Sequence, residues 1–164
     1  MKKRPKIKLK LSVLDYMLEI LGMVGLLGLI VLPFIFYREL PDRIPKHFNA
    51  MGIPDSYGAK GSIWVLPIIG FVIFSGFTLL NKFPHIFSYP VTVTDENAER
   101  IYTIGTKALR LLKVFLMALF LYLNYKTIEI GLQQTEKLSS VLFLILPLAV
   151  LVMSVFTIFK MIKK

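Results

Sequence analysis

The chain has 164 residues, no cysteine and 55% hydrophobic residues, while only 18% of its residues are charged. The absence of cysteine excludes disulfide scaffolds, thiolate zinc sites, iron–sulfur clusters and cysteine nucleophiles. A net charge of +10 would suggest nucleic-acid binding in a soluble protein. Here the apolar fraction favours an integral membrane protein whose basic residues mark its orientation, and we predict no nucleic-acid partner.

Residues 1–14 are predicted as a basic cytoplasmic tail, because the first ten hold six cations and no anion. The first membrane helix is predicted over residues 15–37. Its apolar stretch of 20 residues with one charge matches the hydrocarbon thickness of a bilayer. The stretch is too long for a signal peptide and lacks a small-residue cleavage site, which predicts an uncleaved helix.

Asp15 and Glu19 lie one helical turn apart near the start of this helix. Acids inside a membrane can take part in proton or cation movement. Because both residues are close to the basic tail, pairing with the cations of the tail is the favoured interpretation. Gly22, Gly25 and Gly28 predict close packing of this helix against another helix.

The second helix is predicted over residues 62–81, and a cytoplasmic loop follows over 82–94. The third helix, over 95–125, is predicted to be amphipathic at the membrane surface in its first half and to span the membrane in its second half. Lys107, Arg110 and Lys113 lie on one side of its first half. We expect their charged groups to extend to the lipid interface.

An outer loop over 126–137 leads to a fourth helix over 138–160, which is predicted from an uncharged span of 22 residues. In this arrangement 14 of the 20 cations fall on one side of the membrane and six on the other. The positive-inside rule therefore predicts that both termini are cytoplasmic. The predicted fold is an all-α, four-helix membrane protein that forms one integral membrane domain over residues 1–164.

The loop over residues 38–61 is predicted to lie outside and to be ordered, since it has three prolines and three glycines in 24 residues. Prolines fix φ and glycines permit positive φ, so this density predicts tight turns. Loops held by a rigid scaffold often carry binding residues. The candidate ligand-binding or structural residues are Pro41, Asp42, Pro45, His47, Phe48, Asn49, Gly52, Pro54, Asp55, Gly58 and Lys60.

The string LPDRIPKHFNAMGIPDSYGAKG in this loop resembles the signature of bacterial membrane proteins that carry the domain of unknown function 1648. That domain also forms the N-terminal part of SdpI-type immunity and signalling proteins. The resemblance implies a location in the bacterial cytoplasmic membrane and no catalytic residues. SdpI-type proteins are longer, with additional C-terminal helices, so the resemblance covers the shared N-terminal domain.

His47 and Asp55 are candidates for a metal pair or a proton-sensing site, but zinc requires three or four ligands. A histidine that braces the loop is the favoured interpretation, and Asp55 could pair with Lys60 across the turn at Gly58. The sequence contains no P-loop, HExxH, GxSxG or GxGxxG motif. We therefore predict no cofactor and no catalytic residues.

Three functions remain in competition. The favoured one is a non-enzymatic recognition or immunity module that binds a peptide toxin or envelope ligand, as the SdpI resemblance implies. The second is a small transporter or ion-coupled subunit, which could form by homo-oligomerisation. The third is a membrane enzyme that uses His47 and Asp55 at the outer interface.

Overall fold

The computed structural model describes residues 4–163, without the side chains of residues 142–144. Parts of both predicted basic termini, residues 1–3 and 164, lie outside the described residues. The described residues form four α-helices, two short 3₁₀ helices and a two-stranded antiparallel sheet. In chain order the elements are α1 Val13–Phe36, β1 Arg43–Phe48, β2 Pro54–Ala59, α2 Val65–Leu80, α3 Ala98–Gly131 and α4 Val141–Ile162.

The helices alternate in direction along the bundle. At one end, here called the hairpin end, the Leu138 amide before α4 donates to the Gly52 carbonyl of the β-hairpin at 2.8 Å. At the opposite end, Arg100 near the start of α3 donates to the Lys160, Met161 and Lys163 carbonyls at the end of α4. Residues 4–12 also lie at this opposite end and run across it like a strap, so we call it the strap end.

A capping box starts α1. The Ser12 side chain accepts from the Asp15 amide, and the Asp15 carboxylate accepts from the Ser12 amide at 2.7 Å. This arrangement satisfies backbone donors that have no partner within the helix. The Asp15 carboxylate is thereby fixed at the first turn of α1.

Close contact between α1 and α3 depends on glycine. A Cβ atom at Gly25 would lie 2.9 Å from the Met117 Cβ atom of α3. Leu26 of α1, Phe74 of α2 and Met117 form one buried apolar cluster in this region. The first three helices therefore share a core, and α4 packs on α3.

The loop predicted as a series of tight turns contains a β-hairpin, which the all-α prediction did not include. Arg43 pairs with Ala59 and Phe48 with Pro54, and the register shifts around His47. Side chains of β2 alternate between more and less exposed positions, as expected of a strand with one covered face. The strands were not predicted because this segment contains prolines and a glycine, and both residue types are depleted in strands.

The described residues contain three helices that are long and apolar enough to cross a membrane: Val13–Phe36, Lys60–Leu80 and Ile145–Ile162. These helices support the prediction of a membrane protein. The third helix of the chain, α3, has 34 residues and is not among the three. Its charged side chains include Arg110 and Lys113, which are both buried.

Candidate functional site

The β-hairpin is held against the bundle along one side. Ile44 of β1 is completely buried, in a cluster with Leu40, Ile63 and Ile128. A Cβ atom at Gly131, the last residue of α3, would lie 3.0 Å from a Leu40 methyl group and 3.3 Å from the Ile44 side chain. Apolar burial and close packing thus fix this side of the hairpin to the end of α3.

The turn of the hairpin has its own hydrogen bonds. The Asn49 side-chain oxygen accepts from the Met51 amide at 2.9 Å and from the Ile53 amide at 3.1 Å. Gly52 has φ +79°, and a Cβ atom there would collide with the Leu138 carbonyl oxygen. Only glycine meets both demands without strain, so the turn is anchored to the segment before α4.

The opposite side of the hairpin is exposed. The His47 Nδ1 atom lies 2.6 Å from an Asp55 carboxylate oxygen, with side-chain exposures of 68% and 41%. Arg43, Lys46 and Tyr57 are also exposed on the strands. No group of three or more His, Asp or Glu side chains positioned to hold a metal occurs in the described part of the chain. The geometry brings the two metal candidates together as a pair only.

Lys60 braces the base of the hairpin. Its ammonium group donates to the Leu40 carbonyl at 3.4 Å, lies 3.6 Å from the Asp42 carboxylate and is 5.5 Å from the centre of the Tyr37 ring. The predicted pair of Asp55 with Lys60 is therefore wrong. Each residue has a nearer partner, because the strand places Asp55 beside His47 instead.

The remaining loop candidates have positions typical of structural residues. Pro45 is buried on β1, and Gly58 pairs in register with Ile44. Phe48 and Pro54 close the sheet next to the turn. Pro41 is exposed at the entrance to the hairpin.

A second polar site lies inside the helix bundle toward the strap end, and we call it the charge cluster: Asp15, Glu19, Arg110 and Lys113. Arg110 donates to Asp15 at 3.2 Å and to Glu19 at 3.1 Å. The Lys113 ammonium lies 2.5 Å from Glu19, and it also donates to the Thr78 hydroxyl of α2 at 2.9 Å. Three helices therefore meet in one hydrogen-bonded network.

The interface positions predicted for Arg110 and Lys113 are wrong. The side chain of Lys113 is fully buried and that of Arg110 is 6% exposed. Lys107 is only partly buried. Asp15 and Glu19 pair with these α3 cations, whereas pairing with the basic tail was favoured from sequence. The physical reason is the close approach of α1 and α3, which aligns acids one turn apart with bases one turn apart.

The charge cluster carries two negative and two positive groups, so its formal charge is zero. Buried ions are tolerated in this way, because each is paired and hydrogen-bonded. An arrangement of this kind can hold helices in register, or it can pass a proton if one pair opens. The sequence did contain the signal, as acids at i and i+4 on one helix and bases at i and i+3 on another.

Residues 24–71 match the family described as "Domain of unknown function (DUF1648)". This match confirms the family resemblance drawn from the loop, and it includes the whole hairpin. An uncharacterized protein of Archaeoglobus fulgidus is 31% identical over 78 residues, which are 43% of this chain and 43% of that protein. The similarity thus spans less than half of the relative's length. No solved structure gives a significant match.

Proposed function

Because residues 24–71 carry the domain of unknown function 1648, we propose that the protein is a non-enzymatic recognition module of the bacterial cytoplasmic membrane. Its partner would be a peptide toxin or an envelope ligand, in the manner of SdpI-type immunity proteins. The hairpin is the recognition surface of this proposal, and the helix bundle is its scaffold.

The proposal includes four membrane spans, with α3 as the third and both termini in the cytoplasm. The alternating helix directions are consistent with this topology, and 14 of 20 cations then lie on the cytoplasmic side. In this topology the hairpin end faces outward. The hairpin is thus exposed to ligands that reach the membrane from outside the cell.

One observation carries the proposal: the hairpin is fixed on one side and open on the other. Ile44 and Gly52 anchor it to the bundle, whereas Tyr57 and Met51 are 48% and 69% exposed. A surface ordered before binding loses little conformational entropy when a ligand binds. Exposed aromatic and methionine side chains beside charges are typical of recognition surfaces.

The absence of cysteine makes the topology testable by labelling. Met51→Cys and Lys6→Cys each give a chain with a single thiol, one at the hairpin end and one at the strap end. We expect a membrane-impermeant maleimide to label Met51→Cys in intact cells, and to label Lys6→Cys only after the cells are opened. Labelling of Lys6→Cys in intact cells would contradict the proposed orientation.

The recognition role is tested by survival of a sensitive bacterium that expresses the protein and is exposed to a panel of membrane-active peptide toxins. We expect the natural chain to protect against at least one toxin. Tyr57→Ala and the His47→Ala/Asp55→Ala double variant should lose protection at unchanged folded yield, because these side chains are exposed. The matched control is Lys10→Gln, which changes an exposed cation at the other end of the bundle.

Lys60→Ala separates architecture from recognition. Because Lys60 braces the base of the hairpin, this variant should lower folded yield and protection together. Full protection by the hairpin variants, or the lack of protection by the natural chain against every toxin, would contradict the immunity role.

The charge cluster supports a second candidate, an ion-coupled membrane subunit. Glu19 is shared by two cations and is 29% exposed at its side chain, so it is the acid best placed to exchange a proton. In sealed liposomes with an imposed pH gradient, the natural chain would then conduct protons and Glu19→Gln would not. Equal proton leakage from liposomes with and without the protein would exclude this candidate.

A further inference from the structure

A cavity of about 490 Å³ with both polar and apolar lining residues lies at the strap end, next to the charge cluster. Residues 4–12, which we call the strap, form one wall, and side chains of α1, of the end of α2 and of α3 form the others. The polar lining residues are Lys8, Glu19, Thr78, Asn81, Lys82 and Arg110. Binding sites for small molecules commonly have volumes of about 300–1,000 Å³, so this cavity can hold one small polar group.

The strap is fixed over the bundle by specific contacts. Arg4 donates to the carbonyl oxygens of His85 and Phe87, and the Tyr102 hydroxyl donates to the Pro5 carbonyl at 3.0 Å. Arg4 also lies over the Tyr89 ring. Burial raises the pKa of the Tyr89 hydroxyl well above its usual value, so this group stays protonated and donates to the Pro84 carbonyl at 2.8 Å. The wall formed by the strap is therefore a built part of the fold.

The lining has more positive than negative charge. Three cations, Lys8, Lys82 and Arg110, face one acid, Glu19. Glu19 is already bonded to Arg110 and to Lys113. Among residues 4–163, Lys8 and Lys82 have no carboxylate within ion-pair distance. Two positive charges at the cavity thus remain without a protein counter-ion in this part of the chain.

An amide group at the cavity also lacks a partner. Both polar side-chain atoms of Asn81 are buried, and neither has a hydrogen-bond partner within the described residues. A buried polar group without a partner costs free energy, so such groups in native proteins usually bond to something else. The Asn81 amide can donate two hydrogen bonds to an anion beside Lys82.

We propose that this cavity binds a phosphate group, supplied either by an anionic lipid headgroup or by free phosphate. Lysine, arginine and amide donors are the groups that proteins use to bind phosphate oxygens. Ile7, Leu9, Leu11 and Pro84 complete the lining with apolar surface, which fits the carbon atoms that adjoin a lipid phosphate. The site is independent of the ligand at the hairpin.

The test uses the full chain purified in a neutral detergent, where no membrane surface potential acts. Binding of phosphatidylglycerol, phosphatidylcholine and inorganic phosphate is measured by native mass spectrometry and by the shift of the unfolding temperature. Sodium chloride at equal ionic strength serves as the salt control. We expect binding of phosphatidylglycerol in preference to phosphatidylcholine if the source is a lipid, and stabilisation by phosphate beyond the salt control if the source is free phosphate.

Two double variants have matched charge. Lys8→Gln/Lys82→Gln removes both unpaired lining cations, and we expect each substitution to weaken binding about fivefold. Lys6→Gln/Lys10→Gln removes two cations from the same strap that do not line the cavity, and should change binding less than about twofold. Equal loss in both double variants would show general charge attraction and would overturn the proposal.

Asn81→Leu keeps the side-chain size and removes the amide. We expect about tenfold weaker phosphate or lipid binding, with an unfolding temperature in ligand-free detergent that is unchanged or higher. A merely structural Asn81 would instead lower the unfolding temperature and leave binding intact, which would contradict the proposal. Absence of binding by both lipid and phosphate would also overturn it.

Discussion

The hairpin and the charge cluster each contain a close pair of side chains in which one member is a carboxylate, but the pairs differ in environment and in separation along the chain. His47 and Asp55 are eight residues apart in the chain, and both are exposed to solvent. Asp15 and Arg110 are 95 residues apart and almost fully buried between two helices. The exposed pair joins the two neighbouring strands of the hairpin, whereas the buried pair connects distant parts of the fold. A short distance between the two side chains of a pair therefore does not by itself reveal what the pair does.

The family match also distinguishes the hairpin from the charge cluster. Residues 24–71 include the entire hairpin, yet Asp15, Glu19, Thr78, Arg110 and Lys113 all lie outside that range. The matched domain is thus the part whose open surface supports the recognition proposal. The charge cluster belongs to the remainder of this chain and holds that part together.

The largest expected effect comes from Arg110→Met, which leaves two carboxylates in the bundle with one cation. Breaking one side of a buried ion pair costs about 3–5 kcal/mol, so we expect the free energy of unfolding to fall by about this amount. Denaturation in mild detergent with increasing dodecyl sulfate measures the loss. Adding Asp15→Asn and Glu19→Gln to Arg110→Met should recover part of it. If Arg110→Met alone were as stable as the natural chain, the charge cluster would contribute no more to stability than the exposed pair on the hairpin.

Gly52→Ala tests whether the hairpin depends on its anchor more than on the contact between His47 and Asp55. The positive φ of Gly52 and the collision of an added Cβ atom with the Leu138 carbonyl oxygen both oppose the substitution. We expect a loss of about 2–3 kcal/mol in unfolding free energy, measured by the same denaturation. Gly61→Ala is the matched control, since a Cβ atom there meets nothing within 4 Å. Equal stability of the two variants would contradict the anchoring role.

Gly25→Ala tests the helix contact that brings the buried charges together. Its Cβ atom would press on Met117, and overpacking of this kind costs about 1–3 kcal/mol. We expect a loss of about 2 kcal/mol, because the atom it meets is the Met117 Cβ, which is buried and fixed to the backbone of α3. Gly76→Ala, which meets nothing within 4 Å, is the control. Coupling between Gly25→Ala and Arg110→Met in a double-mutant cycle would show that packing and pairing act together.

His47→Ala should have the smallest effect. Even a fully charged pair on an exposed surface contributes only about 0–1 kcal/mol, so we expect a change in unfolding free energy below about 1 kcal/mol. Measurements at low and high salt, about 0.05 and 0.5 M, should differ little for the variant. A loss comparable to that of Arg110→Met would abolish the contrast between the regions.

Local patterns in the sequence predict the apolar helices because each depends on neighbouring residues, and the long apolar stretch that became α1 is an example. The order of the loop at Gly52 and Pro54 was also predictable from turn chemistry. The hairpin strands were not, since their pairing is defined by anchoring of Ile44 to α3. Nor were the partners of Glu19, because helix rotation and glycine contacts decide which of many cations a carboxylate meets.

The buried contact between α1 and α3 also has a consequence for the time course of synthesis. Arg110 follows Asp15 by 95 residues and Glu19 by 91, so at about 5–20 residues per second the two acids exist for about 5–20 s before this cation is made. During that interval the two acids lack this α3 partner. The charge cluster therefore forms only after α3 has been synthesised, and the contact between the first and third helices is a late step of assembly.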